Sequence, residues 1–180
     1  MTVPERVPEP VPEPVPEPVL LPPHSPDCYG CGPENASGLR MEVWRSGDEV
    51  YTDLVFQPRH VGAPGIAHGG TVSAACDDLF GFMLYVVGTP AVTRNLTIEY
   101  HAPTALGLSH RITARLERRE GRKLYLTGSG VRADGLLCFT STALFVVVER
   151  AHFERYGLLT GHPGLDRLSR GEGRAVSGSA

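Results

Sequence analysis

From Leu39 to Phe56 apolar and polar residues alternate, with a break at Ser46-Gly47-Asp48. A period of two around a Gly-Asp turn predicts a pair of strands joined by a hairpin. The period then changes. Between Gly69 and Val86 the apolar residues Val72, Cys76, Leu79, Met83 and Val86 recur three or four positions apart, which places them on one face of a helix. Gly88-Thr89-Pro90 stops that helix. Strand-like runs follow at Val92 to Tyr100, His110 to Arg118, Lys123 to Val131 and Leu136 to Val148. Pro103 to Gly107, Glu120-Gly121 and Ala133-Asp134-Gly135 divide them. One central helix wrapped by a single antiparallel sheet is an α+β layer architecture. A sheet of this length outruns one helix, so a dimer is expected on area grounds.

The two ends do not share this patterning. Residues 1–26 carry VPEP at Val7–Pro10, Val11–Pro14 and Val15–Pro18. Proline at alternate positions removes backbone donors and favours extended chain, so a disordered Pro/Glu-rich tail is expected over 1–26. Gly, Ser and Arg dominate the other end, and 159–180 is expected to be a flexible tail. A single domain over 27–158 remains, large enough for a hydrophobic core in a 180-residue chain that is 41% hydrophobic. Glu5, Glu9, Glu13 and Glu17 against Arg6 account for the whole formal charge of −3, so the rest of the chain is neutral. No basic excess points to nucleic acid. The apolar stretch from Leu136 to Val148 is broken by Thr140-Ser141-Thr142 and falls short of the ~20 residues of a membrane helix. Four cysteines form no disulfide framework and no signal peptide is apparent, so a cytoplasmic protein without membrane association is expected.

The chemistry concentrates at "HGGTVSAACDD", His68 to Asp78. Amides in the first turn of a helix lack internal partners and carry the positive end of the dipole, and glycine lets a substrate oxygen approach them. Such a donor is suited to an oxyanion. Asp77 falls on a stripe with the small residues Gly70, Ala74 and Gly81, off the core face, while Asp78 points further toward the polar side. Two turns of helix separate Gly70 from Asp77, so the two would meet at one carbonyl only across two copies of the chain. Read alone, the same residues also describe the end of a loop and a solvated helix acid.

Several linked segments resemble the hotdog-fold acyl-CoA thioesterases of the phenylacetate-pathway (PaaI-like) type. These are "CYGCGPENASGLRM" at Cys28–Met41, "GAPGIAHGG" at Gly62–Gly70, Asp77 nine residues past His68, and "TRNLTIEYHAP" at Thr93–Pro103. The resemblance implies a long helix inside a curled antiparallel sheet, and a dimer, possibly a dimer of dimers, with active sites between protomers. It implies hydrolysis of an acyl-CoA thioester to free acid and CoA, without a cofactor. By the same resemblance Gly70 or its neighbour Gly69 polarises the carbonyl, and Asp77 acts as general base or nucleophile. Thr93 orients water, and His68 holds the loop. Many relatives carry an asparagine six residues before the histidine, where this chain has Gly62. Strict alternation sets Thr93 on the opposite face from Leu96 and Ile98, so its meeting with Asp77 requires a β-bulge near Arg94–Asn95.

Other candidates are weaker. Cys28-Tyr29-Gly30-Cys31 has half the spacing of a zinc site, but no second CxxC or HxxxH completes it, and His24 and His60 are not at helical ligand spacing. No metal is expected. Cys76 lies on the buried helix face and reads as a small hydrophobe. His101 and His110 flank a loop and read as surface residues. Arg94 is a candidate for the CoA phosphates, and Phe80, with Phe82, Leu84 and Tyr85, for the acyl tunnel. A hotdog dehydratase would need a paired His and acid on the helix, which is absent here. A non-catalytic acyl-CoA or acyl-carrier binding module is the competing reading from another class.

Overall fold

The computed structural model describes residues 17–155 and 163–170. Nine strands run as β1 (Val19–Leu21), β2 (Val43–Ser46), β3 (Glu49–Val55), β4 (Val61–Ala63), β5 (Ile66–Ala67), β6 (Ala91–Tyr100), β7 (Ser109–Glu120), β8 (Lys123–Arg132) and β9 (Leu137–Val147). The main helix α1 spans Gly69–Val87, and α2 (Arg150–Glu154) and α3 (Pro163–Arg170) follow the last strand. Seven strands form one antiparallel sheet in the order β1-β2-β3-β7-β8-β9-β6, and β4 pairs with β5 in a separate hairpin. Residues alternate across the sheet. Ile112 and Ala114 on β7, Leu124 and Leu126 on β8, and Phe139, Ala143 and Phe145 on β9 are buried against α1.

The helix begins and ends where the sequence pattern placed it, for identifiable reasons. His68 is the N-cap in extended conformation, and its Nδ1 accepts a bond from the Gly70 amide at 2.9 Å. At the other end Gly88 takes the left-handed conformation (φ 69°) and its N–H donates to Leu84 O at 2.7 Å. By length and composition α1 is apolar enough to cross a membrane, but Val72, Ala75, Cys76, Leu79, Phe80, Phe82 and Met83 are each at most 1% exposed. It is the core helix of the sheet.

Both tails begin differently from the expected boundaries. Residues 1–16, and with them most of the VPEP repeats, lie outside the described residues. Residues 17–26, assigned to the Pro/Glu-rich tail, instead contribute β1, which pairs in register from Val19↔Arg45 to Leu21↔Val43, and a loop that sets His24 against α1. Within the expected C-terminal tail, α3 packs on that loop. Gly164 N–H donates to His24 O at 2.9 Å, Arg167 Nη1 donates to Pro23 O at 2.8 Å, and Arg150 pairs with Asp166 at 3.0 Å. Neither contact surface is visible in local composition, because each is made with residues distant in sequence.

Candidate functional site

The loop before α1 is held from two sides. His68 N–H donates to His60 O at 2.7 Å, and Ala67 N–H donates to Thr104 O at 2.9 Å. Gly62 makes the first contact possible, since a Cβ there would lie 2.5 Å from His68 Cα. An asparagine at this position is incompatible with the backbone as it stands. The glycine thus serves close backbone packing, and no side-chain donor is available from it.

At the helix start the two glycines differ. The Gly70 amide is taken by the His68 ring, as above. The Gly69 N–H has no hydrogen-bond partner among the described residues. Its carbonyl is fixed instead, accepting from Tyr100 Oη at 2.8 Å and Ser73 Oγ at 3.0 Å. A side-chain cap thus occupies the Gly70 donor, and of the two glycines only Gly69 presents a free amide. Tyr100 and Ser73 were missed as site residues. The signal for Tyr100 was its position two residues beyond Ile98 on the same face of β6. A cavity of about 390 Å³ opens beside Gly69, lined by Ile66, Ala67, Tyr100, His101, Ala102, Pro103 and Thr104.

Two turns along the helix, Thr93 Oγ1 donates to Asp77 Oδ1 at 2.8 Å. The bulge that this contact requires is present. β6 pairs with β9 as Thr93↔Phe145 and then Asn95↔Leu144, leaving Arg94 without a cross-strand partner. The extra residue turns Thr93 toward α1 while Leu96 and Ile98 pack against the core. Arg94 is exposed on the bulge. Phe80, the candidate for the acyl tunnel, is buried in this chain. It is 1% exposed and packs edge-on to Phe145 with ring centroids 6.4 Å apart, so it is a core residue.

Burial settles two further candidates. The Cys76 thiol is 1% exposed and burial pushes it up to about 12, which removes it as a nucleophile. His110 is fully buried, donating from Nδ1 to Leu108 O at 3.0 Å, where a surface position was expected. Asp78, expected on the polar side, is turned inward onto the 24–31 loop. It receives His24 Nδ1 at 3.2 Å and Cys28 Sγ at 3.2 Å, and burial raises its carboxyl. A Cβ on Gly30 would fall 2.1 Å from Asp78 Cγ. Gly30→Ala is accordingly expected to destabilise the chain by about 1–3 kcal/mol, read as a lower denaturant midpoint.

Residues 64–139 match the model of the thioesterase superfamily. The bovine acyl-coenzyme A thioesterase THEM4 is 30% identical over 121 residues, which cover 66% of this chain and 50% of the relative. The chain spans about half the length of the curated relatives it matches. Among solved structures, the thioesterase superfamily protein RHA08564 is 32% identical with a TM-score of 0.63, covering 67% of this chain and 60% of that one. The PaaI protein of the E. coli phenylacetic acid degradation operon is 14% identical with a TM-score of 0.58, covering 62% and 81%, and shares the fold.

Proposed function

We propose, from the premise that this chain is a hotdog-fold member of the thioesterase superfamily, that it hydrolyses acyl-CoA thioesters to free acid and CoA. The observation that carries the reading is the Thr93–Asp77 bond of 2.8 Å, formed only because β6 bulges at Arg94. A carboxylate held by a hydroxyl at a surface that substrate can reach is the equipment for activating water. The naming of the bovine relative as an acyl-coenzyme A thioesterase supports the substrate class.

In the proposed reaction the thioester carbonyl oxygen accepts from the Gly69 N–H at the positive end of α1. Asp77 takes a proton from water oriented by Thr93, and the water oxygen attacks the carbonyl carbon. The tetrahedral intermediate collapses with cleavage of the C–S bond, and the departing CoA thiolate takes up the proton held by Asp77, which returns to the carboxylate. Eight residues of helix separate Gly69 from Asp77, a rise of ~12 Å, so one chain does not aim both at one carbon. A second copy supplies the complement. β6 lies at the free edge of the sheet, and pairing of that edge with its equivalent would bring the Asp77–Thr93 pair of one protomer to the Gly69 amide of the other. The cavity beside Gly69 then receives the acyl chain.

The test is a single turnover in oxygen-18 water, with the product acid and the peptide containing Asp77 analysed by mass. The reading predicts one heavy oxygen in the acid and none in Asp77. Label in Asp77 would contradict general-base catalysis, and an unchanged thioester would contradict hydrolysis. Thr93→Val keeps the branched shape and removes the hydroxyl. It is expected to lower kcat about 10- to 100-fold with little change in KM, as measured by thiol release.

The chief competitor is a non-catalytic acyl-CoA binding module. It draws on one observation, the backbone contact at Gly62 that excludes the asparagine donor of many relatives.

A further inference from the structure

We propose that His24, Cys28, Cys31 and Asp78 form a zinc site that ties the N-terminal loop to α1 beside the catalytic acid. One donor atom from each residue lies within 4.8 Å of every other. The individual separations are 3.2 Å for His24 Nδ1 to Asp78 Oδ1, 3.2 Å for Cys28 Sγ to Asp78 Oδ1, 3.4 Å for Cys31 Sγ to His24 Nδ1, and 3.9 Å for Cys31 Sγ to Asp78 Oδ1. A tetrahedral zinc ion with Zn–S of about 2.3 Å and Zn–N and Zn–O of about 2.0–2.2 Å holds its donor atoms ~3.3–3.8 Å apart. These four separations, 3.2–3.9 Å, lie close to that spacing, and the remaining two pairs lie within 4.8 Å.

The surroundings are those of a built site. Cys31 is 3% exposed, and the Asp78 side chain is 11% exposed. Two thiols and an imidazole converge on Asp78 Oδ1, while Asp78 Oδ2 is buried with no hydrogen-bond partner. An arrangement that crowds one carboxylate oxygen and leaves the other bare is costly as a hydrogen-bond network. It is economical around a cation. The His24 ring packs against both Phe82 and Tyr85, with centroids at 4.2 and 5.6 Å, and the His24 backbone N–H donates to Cys31 Sγ at 3.3 Å. An amide aimed at sulfur and a packed imidazole are the kind of support that metal ligands receive. Gly30 is the residue of the CxxC that lets Asp78 come in close.

Two sulfurs, one imidazole nitrogen and one carboxylate oxygen select zinc over calcium or magnesium, which take oxygen ligands. Loading releases two thiol protons to solvent, and the four-ligand complex of Zn²⁺ with two thiolates, a carboxylate and neutral imidazole carries one negative charge. Four protein ligands leave no position for substrate, so the ion is structural. Because Asp78 adjoins Asp77, the site would fix the helix where the proposed base projects, yet the proposal does not rest on the hydrolytic reading.

The test uses untagged full-length chain from zinc-supplemented cells, with metal content measured by plasma mass spectrometry and the cobalt(II) form by absorption. About one zinc per chain is expected in the wild type and in Cys138→Ser, with only traces in Cys28→Ser and Cys31→Ser. Should those two variants fail to fold, the wild-type cobalt spectrum decides. Tetrahedral ligand-field bands with a thiolate charge-transfer band support the site. Substoichiometric zinc with an octahedral cobalt spectrum overturns it, as does zinc that persists in both cysteine variants.

Discussion

Asp77→Asn is expected to lower acyl-CoA hydrolysis by ~10²- to 10⁴-fold while leaving acyl-CoA binding nearly unchanged. The amide has the shape of the carboxylate, and its oxygen still accepts from Thr93 Oγ1 across the 2.8 Å contact. What it lacks is a site for the proton of water. The loss should appear in kcat and kcat/KM together, because the missing interaction exists only in the transition state. Thiol release and calorimetric binding, run side by side, measure it. A variant that retains most of the wild-type rate would remove Asp77 from the chemistry.

Phe80→Ala is expected to destabilise the fold by about 3–5 kcal/mol. That is a large share of the 5–15 kcal/mol typical of a native domain. The ring is 1% exposed, one helical turn after Asp77, and stacks edge-on to Phe145 of β9. Its removal deletes apolar contacts and leaves a cavity between α1 and the sheet that the backbone does not fill. Urea unfolding at fixed protein concentration reads the change. A cost near zero would mean that Phe80 faces open space, as a tunnel-lining role requires.

The contrast between these two residues shows what was legible in the sequence. The helix, the hairpin at Gly47 and the four strands after α1 follow from hydrophobic period and turn residues, which act over a few positions. The Asp77–Thr93 contact was legible as a condition: resemblance paired the two, and alternation required a bulge that the β6–β9 register contains. Phe80 was named as a candidate tunnel liner, with an ordinary core role as the alternative. In the fold the sheet curls far enough to cover it, and Phe82 and Tyr85 are covered by His24 from the N-terminal loop.

The remaining misses have two causes, one long-range and one local. His24 and Asp78 are 54 positions apart, and no periodicity joins a loop to the third turn of a helix. The CxxC was visible, but the convergence of His24 and Asp78 on it was not. The distinction between Gly69 and Gly70 is also beyond pattern reading, since it depends on which amide the His68 ring captures. Local signals located the elements and the reactive residue types. A local side-chain cap determined which donor is free, and contacts between distant segments determined which acid is turned inward.

The measurement that bears most directly on the proposed function is thiol release from short, medium, long and aromatic acyl-CoAs by the full chain, with binding of each measured in parallel. The Gly69 amide, the Asp77–Thr93 pair and the adjoining cavity predict turnover of at least one member of the panel. Binding of acyl-CoAs with no thiol released from any of them would contradict hydrolysis and identify the chain as a binding module.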